Sequence, residues 1–375
     1  MALKIETGSE ETSKPKEEKT QEYLLKKLFG DLYDKLGLSQ FVNPDGTVTP
    51  EKLDALRTHL ASLGFSEDVI EEVKNYLEGK TEDPKHVKSQ IALEYEQIQT
   101  IDEGLTKLGI TLTDEQRMDL ILQILSHEVN ISDGVPLKIW IAVGKGEGFG
   151  NEKMIEIELT DEMEKAVYIR NHSEEIVKLK ENSNSVEEFD KQIFPELRDD
   201  VSLHKWFFGS KISECTSKRD FKGAQTWKGE AGEWAQEHGY DAAEFMQGVY
   251  DQFKLMGGSD IEWLSASVGF DISKVEAVNS EKVSSLIVSF VEFAEENEDF
   301  KQWIEENVNM VELEKAKGEL MEKGLEKSSE ETKRVIEDVV KALDEIIEKT
   351  VDEDVKMIAE ILKEWLEKGV EEKSE

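Results

Sequence analysis

The chain has one cysteine, Cys215, among 375 residues. No intrachain disulfide can form, and such sparing use suits a reducing compartment. No run approaches the eighteen consecutive apolar residues of a membrane helix. The opening MALKIETGSEETSKPKEEKT holds no apolar stretch of signal-peptide length. These absences predict a protein of the cell interior, cytoplasmic or part of an assembled particle, with no membrane partner. Positive charge is scarce too: 46 lysines and arginines face 84 acids, a net charge of −38. That surface repels nucleic acid and anionic bilayers at long range and favours basic partners.

Motifs that carry chemistry are also missing. The stretch KIWIAVGKGEGFGNEKMIEIEL, residues 138–159, is glycine-rich but spaced G-x-G-x-G-x-G. A dinucleotide fingerprint needs G-x-G-x-x-G opening a helix, and a Walker loop needs Gly-Lys-Ser/Thr. Here an alternating run follows, so residues 144–150 are expected to turn a hairpin. NPDGTVTPEKLD resembles a calcium loop, yet with Gly46 at its sixth place the first and twelfth places hold Phe41 and Lys52. The bidentate glutamate is missing there, and a turn with a helix cap accounts for the residues. His127-Glu128 lacks the second histidine of a zinc helix. Cys215, between His204 and His238 in sequence, has no local sign of activation. No catalytic, cofactor-binding or metal-binding residue is therefore assigned, and no enzymatic activity is expected.

What remains is pattern. Residues 1–20 are polar and read as a disordered arm. From there a helical domain is expected to residue 130, with Tyr23, Leu24, Leu28, Leu32 and Leu36 on one face. Thr49 before Pro50 and Ser66 before Glu67 are helix starts, and Gly64 and Gly79 are stops. A long helix is expected over 85–108, and Thr113 with Gln116 forms a capping box. Residues 131–160 read as a β-hairpin. Leu137, Ile139, Ile141 and Val143 alternate with Lys138, Trp140 and Ala142, and Met154, Ile155, Ile157 and Leu159 alternate with Glu156 and Glu158.

The central helical domain, 161–311, is aromatic-rich. Eleven of the chain's twenty-nine aromatic residues fall in 204–263, which marks the main core. A helix from Ser280 is expected to bury Val283, Leu286, Ile287, Phe290 and Phe293. Residues 204–229 also hold six bases (Lys205, Lys211, Lys218, Arg219, Lys222 and Lys228) against Glu214 and Asp220. Residues 312–375 read as an acidic helical hairpin. Its first helix starts at a Ser328/Glu331 box and carries Val335, Ile336, Val339, Leu343, Ile346 and Ile347. Its second starts at a Thr350/Glu353 box and carries Val355, Ile358, Ile361, Leu362 and Trp365.

The fold expected is mainly α, a multi-helix bundle with one β-hairpin at about 137–159, a disordered N-terminal arm and a C-terminal helical hairpin. The functional expectation is a non-enzymatic structural or assembly subunit of the shell, coat, filament or scaffold type. Copies would meet through Trp140 and the stripes Ile336, Leu343, Ile347, Ile358, Leu362 and Trp365, which look under-buried in one chain. An alternative is a nucleic-acid-binding coat protein that uses Lys211, Lys218, Arg219, Lys222, Trp227 and Lys228, residues that would equally dock the acidic tail. A third is an acidic regulator that binds a basic protein.

Overall fold

The computed structural model describes residues 20–81, 84–109, 113–132, 134, 136–145, 152–273, 285, 288–289, 291, 309–323, 328–349, 356 and 359–363. The fold is mainly α with one two-stranded antiparallel hairpin. The expectations for the N-terminal arm, the loop tip 146–150, the stripe Val283–Phe293, the Thr350/Glu353 box, Ile358 and Trp365 lie outside the described residues.

Helix α1, Gln21–Phe29, starts at Thr20, whose hydroxyl accepts from Tyr23 N. The single face expected from Tyr23 to Leu36 is broken at Gly30, and α2, Leu32–Lys35, is a separate turn. Tyr23 is exposed, and the core takes Leu25, Leu28, Phe29 and Leu32 instead. Gly30 has φ +52, and a Cβ there would lie 3.1 Å from Leu255 O and 3.2 Å from Gly257 N. Positive φ together with this close approach demands glycine and ends the helix. Helices α3, Pro50–Ser62, and α4, Glu67–Leu77, start at Thr49 and Ser66 as expected, each hydroxyl accepting a first-turn N–H.

Helix α5, Lys85–Lys107, is the central strut. It packs against α1, α4, α6 (Asp114–Leu125), α7 (Asp161–Asn171), α8 (Ser173–Asn182) and α10 (Val201–Ser217). One side of it buries a polar ladder: Ser89, Gln90, Glu94 and Gln97 are at most 2% exposed. The Glu94 carboxylate accepts from Ser66 N at 2.8 Å and Ser66 Oγ at 2.6 Å, and from Ser173 Oγ. It thus faces the N-termini of α4 and α8, where the helix dipoles favour negative charge. Burial pushes its carboxyl above the usual range, against Arg170 and the two serines.

A smaller apolar cluster joins the far half of α5 (Ile98, Ile101, Leu105) to α6 (Leu120, Ile121, Ile124, Leu125), the hairpin (Ile139, Ile157) and α7 (Met163, Val167). Gly104 makes this possible, because a Cβ there would sit 2.6 Å from Met163 Sδ. The larger cluster holds the aromatic segment of α10, α11 (Phe221–Glu237), α12 (Ala242–Leu255) and α13 (Asp260–Val268). Trp206, Phe207, Phe208, Phe245, Phe253 and Trp263 are fully buried there, as their clustering in sequence predicts. Between α8 and α10 lies the short α9, Val186–Gln192.

Two further helices, α14, Met310–Lys323, and α15, Glu330–Lys349, pack on each other. The start of α15 differs from the expected Ser328/Glu331 box. Ser329 Oγ accepts from Thr332 N at 3.2 Å, so the cap lies one residue later. Glu319 of α14 accepts from Ser329 N at 3.2 Å, Ser329 Oγ at 2.6 Å and the Thr332 hydroxyl. The acid that completes this cap therefore comes from a neighbouring helix.

Candidate functional site

The hairpin pairs β1, Lys138–Lys145, with β2, Glu152–Glu158, in the register Ile139↔Ile157, Trp140↔Glu156 and Ala142↔Met154. A bulge lies between Ala142 and Lys145. Ile139 and Ile157 are buried against α6 and α7, so successive residues alternate between core and solvent. Its base is tied to α7, since Leu137 N donates to Glu164 Oε1.

The outward face carries Trp140, 62% exposed, and Met154, 45% exposed. Lys138 pairs with Glu158 at 3.0 Å and reaches Glu156 at 3.8 Å on the same face. An indole and a thioether thus stand in solvent beside charges of both signs. Among the described residues the sheet has only these two strands, so each has one edge without a strand partner. Met154 was counted in sequence among the inward residues. The β2 register places it on Trp140's side, because it lies two residues from Glu156.

The C-terminal stripes are arranged differently from expectation. Ile336 is 3% exposed, Leu343 0% and Leu362 2%, all covered within one chain. Ile347 is half-buried. The cover for α15 comes in part from α14, which presents Leu313, Ala316 and Leu320, a partner the sequence pattern did not supply. The helical segment 359–363 also ties back, through Lys363 to Asp344. These buried side chains offer nothing to a second copy.

The basic segment is likewise dispersed. Lys211 points inward, donates to Ser183 O at 2.7 Å, and lies over the rings of Phe207 and Trp227 at 5.7 and 5.5 Å. Burial pushes its ammonium pKa down, against Glu214. Trp227 meets Phe207 edge-on at 5.8 Å and is half-buried in the aromatic core. Lys228 donates to Ser267 Oγ and lies 3.7 Å over the Trp263 ring. Arg219 pairs with Asp271 at 3.0 Å. Lys218, Arg219 and Lys222 remain exposed. The segment therefore forms no continuous cationic surface with a free stacking ring. In the tail, Lys315, Arg334 and Lys363 pair with Glu331, Glu312 and Asp344 of the tail itself.

The residues weighed for catalysis are occupied elsewhere. Cys215 is half-buried, and burial with the Asp220 charge raises its thiol pKa, away from the reactive thiolate. His204 is fully buried, its ring nitrogens 2.7 Å from Asp200 O and 2.9 Å from Asp190 Oδ1. His204 and His238 each stack on Trp234, with ring centroids 4.1 Å apart. In the loop that resembles a calcium site, Asp45 Oδ1 accepts from Thr47 N and Oγ1, and Lys52 Nζ donates to Val42 O at 2.8 Å. No cluster of three or more His, Cys, Asp or Glu able to hold a metal occurs among the described residues. No helix among them is long and apolar enough to cross a membrane.

Neither a family model, nor a curated protein, nor a solved structure matches this chain.

Proposed function

We propose that the protein is a non-enzymatic assembly subunit whose copies meet through the outer face and edges of the β1–β2 hairpin. One observation carries the reading: a tryptophan 62% exposed on the solvent face of a sheet that has only two strands among the described residues. The inner face of the hairpin is covered by α6 and α7, whereas the outer face and the strand edges can still gain from a further strand or a covering surface. Tryptophan is the side chain most enriched where buried interface area supplies affinity. The same face holds Lys138, Glu156 and Glu158, so it has the mixed charge that a two-fold contact between identical patches requires. Ile336, Leu343 and Leu362 are buried within one chain, which favours the hairpin as the contact over these three.

Size-exclusion chromatography with light scattering, run across protein concentration and salt, tests this. The wild type is expected above its 42.7 kDa monomer mass, rising with concentration. Trp140→Lys is expected to return the monomer mass with unchanged circular dichroism. A wild type that stays monomeric under all these conditions refutes the proposal.

A further inference from the structure

A polar cleft of about 120 Å³ lies between the start of α5, the end of α10 and the turn joining α12 to α13. Its walls are Lys85 and Lys88 of α5; Ser210, Ser213, Glu214, Thr216 and Ser217 of α10; and Met256, Gly257, Gly258 and Glu262 around the turn. We propose that this cleft binds a small tetrahedral oxyanion, such as a phosphate group, with Lys88 as its charge anchor and Ser213 as a hydroxyl donor.

The charges on the cleft wall are unequal in what they have left to give. Glu214 is held by Lys180, which is 1% exposed and also donates to Ser210 Oγ at 2.9 Å. Glu262 is the acid of a capping box, accepting from Ser259 N and Ser259 Oγ, both at 3.1 Å. Both carboxylates are thus engaged by donors of their own. Lys88 Nζ, in contrast, donates to one neutral acceptor, Met256 O, at 3.3 Å. An ammonium has three hydrogens, so a single long bond leaves most of its capacity for another acceptor. The Ser213 hydroxyl has no hydrogen-bond partner among the described residues.

The turn is shaped to leave Lys88 accessible. Gly257 has φ +79, and a Cβ on it would lie 3.2 Å from Lys88 Nζ. Gly258 cannot carry a side chain either, because its Cβ would meet the Phe253 ring at 2.2 Å. Gly257 therefore holds the wall back from the ammonium, and Gly258 lets the turn pack on the Phe253 ring. In a chain of net charge −38, the wall is locally balanced, with Lys85 and Lys88 against Glu214 and Glu262, and Lys27 of α1 lies near Lys88. Burial, then Lys27, holds the Lys88 ammonium down at about 8, opposed by Glu262. An anion in the cleft relieves both effects. The charged groups facing Lys88 are thus Lys27 from α1, Lys85 on its own helix, Glu214 from α10 and Glu262 from α13.

The sign of the pH response follows. Lys88 is charged below about 8 and loses its proton above that, so oxyanion affinity falls as pH rises through this value. Sulfate is the better probe for this arm, because its own charge is constant over the range. Calorimetric titration of the full chain with sodium sulfate and with sodium phosphate at fixed ionic strength tests the assignment. The wild type is expected to give a saturable one-to-one isotherm that weakens from pH 7 to pH 9. Lys88→Met, which keeps the buried stem, is expected to weaken binding roughly tenfold or more, and Ser213→Ala by severalfold. A wild type with no saturable heat for either anion, or a Lys88→Met isotherm equal to the wild type's, overturns the proposal.

Discussion

Lys180 is a cation almost wholly removed from water, and its neighbours show why it is tolerated. Its Nζ meets Ser210 Oγ and Glu214, and lies 5.9 Å from the centre of the Trp206 ring. Ser210 in turn shares a hydrogen bond with Ser89 at 2.8 Å, and Trp206 Nε1 donates to Ser89 O at 2.7 Å. One lysine thus fastens α8 to α10 and, through the serines, to α5. Truncating one member of such a pair strands the other charge. Lys180→Ala is expected to cost about 3 kcal/mol in urea unfolding, more than Lys178→Ala at the exposed Glu174 pair. A difference within about 0.5 kcal/mol would show the buried network to be idle. Neither Lys180 nor Lys211 was legible as a buried residue. Composition counts charges without saying which turn inward. A signal was nonetheless present for Lys211: α10 reads Trp206, Phe207, Phe208 and Ile212 around most of its circumference, and such a helix is enclosed on every side. Lys211, one turn on from Phe207 and Phe208, goes inside with them, whereas Lys205 on the same helix is half-buried.

At the level of elements, local chemistry in the sequence announced itself well. Thr49, Ser66 and Thr113 cap the helices that their spacing predicted, and the alternation at 137–159 is a hairpin. What failed was information shared between elements. Gly30 ends α1 because of the Leu255–Gly257 turn more than two hundred residues away, and no local pattern carries that. The partner of α15 is α14, whose short apolar spacing is diluted by seven charged residues in fourteen and was overlooked. Its Glu319 now provides a test. Hydrogen bonds from Ser329 first, then Thr332, hold this carboxyl down at about 2. A depressed carboxyl contributes stability above its unfolded value, about 4.3, and loses it as pH falls from there toward 2. Thermal melts should therefore place the wild type above Glu319→Gln at pH 6, with the gap closing by pH 2. A gap that is the same at both ends would mean that the carboxylate's charge plays no part in the α14–α15 junction.

The whole molecule carries a net charge of −38, and that excess acts on every element at once. Exposed pairs such as Lys26–Glu22 and Lys178–Glu174 offset only a small share of it, since each contributes little in water. Self-repulsion favours expanded states, and salt shortens its reach from about 30 Å at 0.01 M to about 3 Å at 1 M. The melting temperature is therefore expected to rise steadily with sodium chloride over that range, as scanning calorimetry can follow. A falling temperature would mean that specific pairs outweigh the general repulsion. Acidity of this kind was plain from the sequence, whereas its distribution was not: Lys88, where α5 meets the α12–α13 turn, donates to a backbone carbonyl rather than to a carboxylate.

The polar ladder of α5 has a consequence for how the bundle finds its arrangement. A greasy cylinder among greasy cylinders can rotate or slide by a turn and still keep dry. Glu94 forbids this, because any other azimuth takes it from Ser66 and Ser173 and leaves an ionisable group stranded. The ladder behaves as the notch of a key: it adds little to the strength of the lock, but it decides the one angle at which the helix turns home.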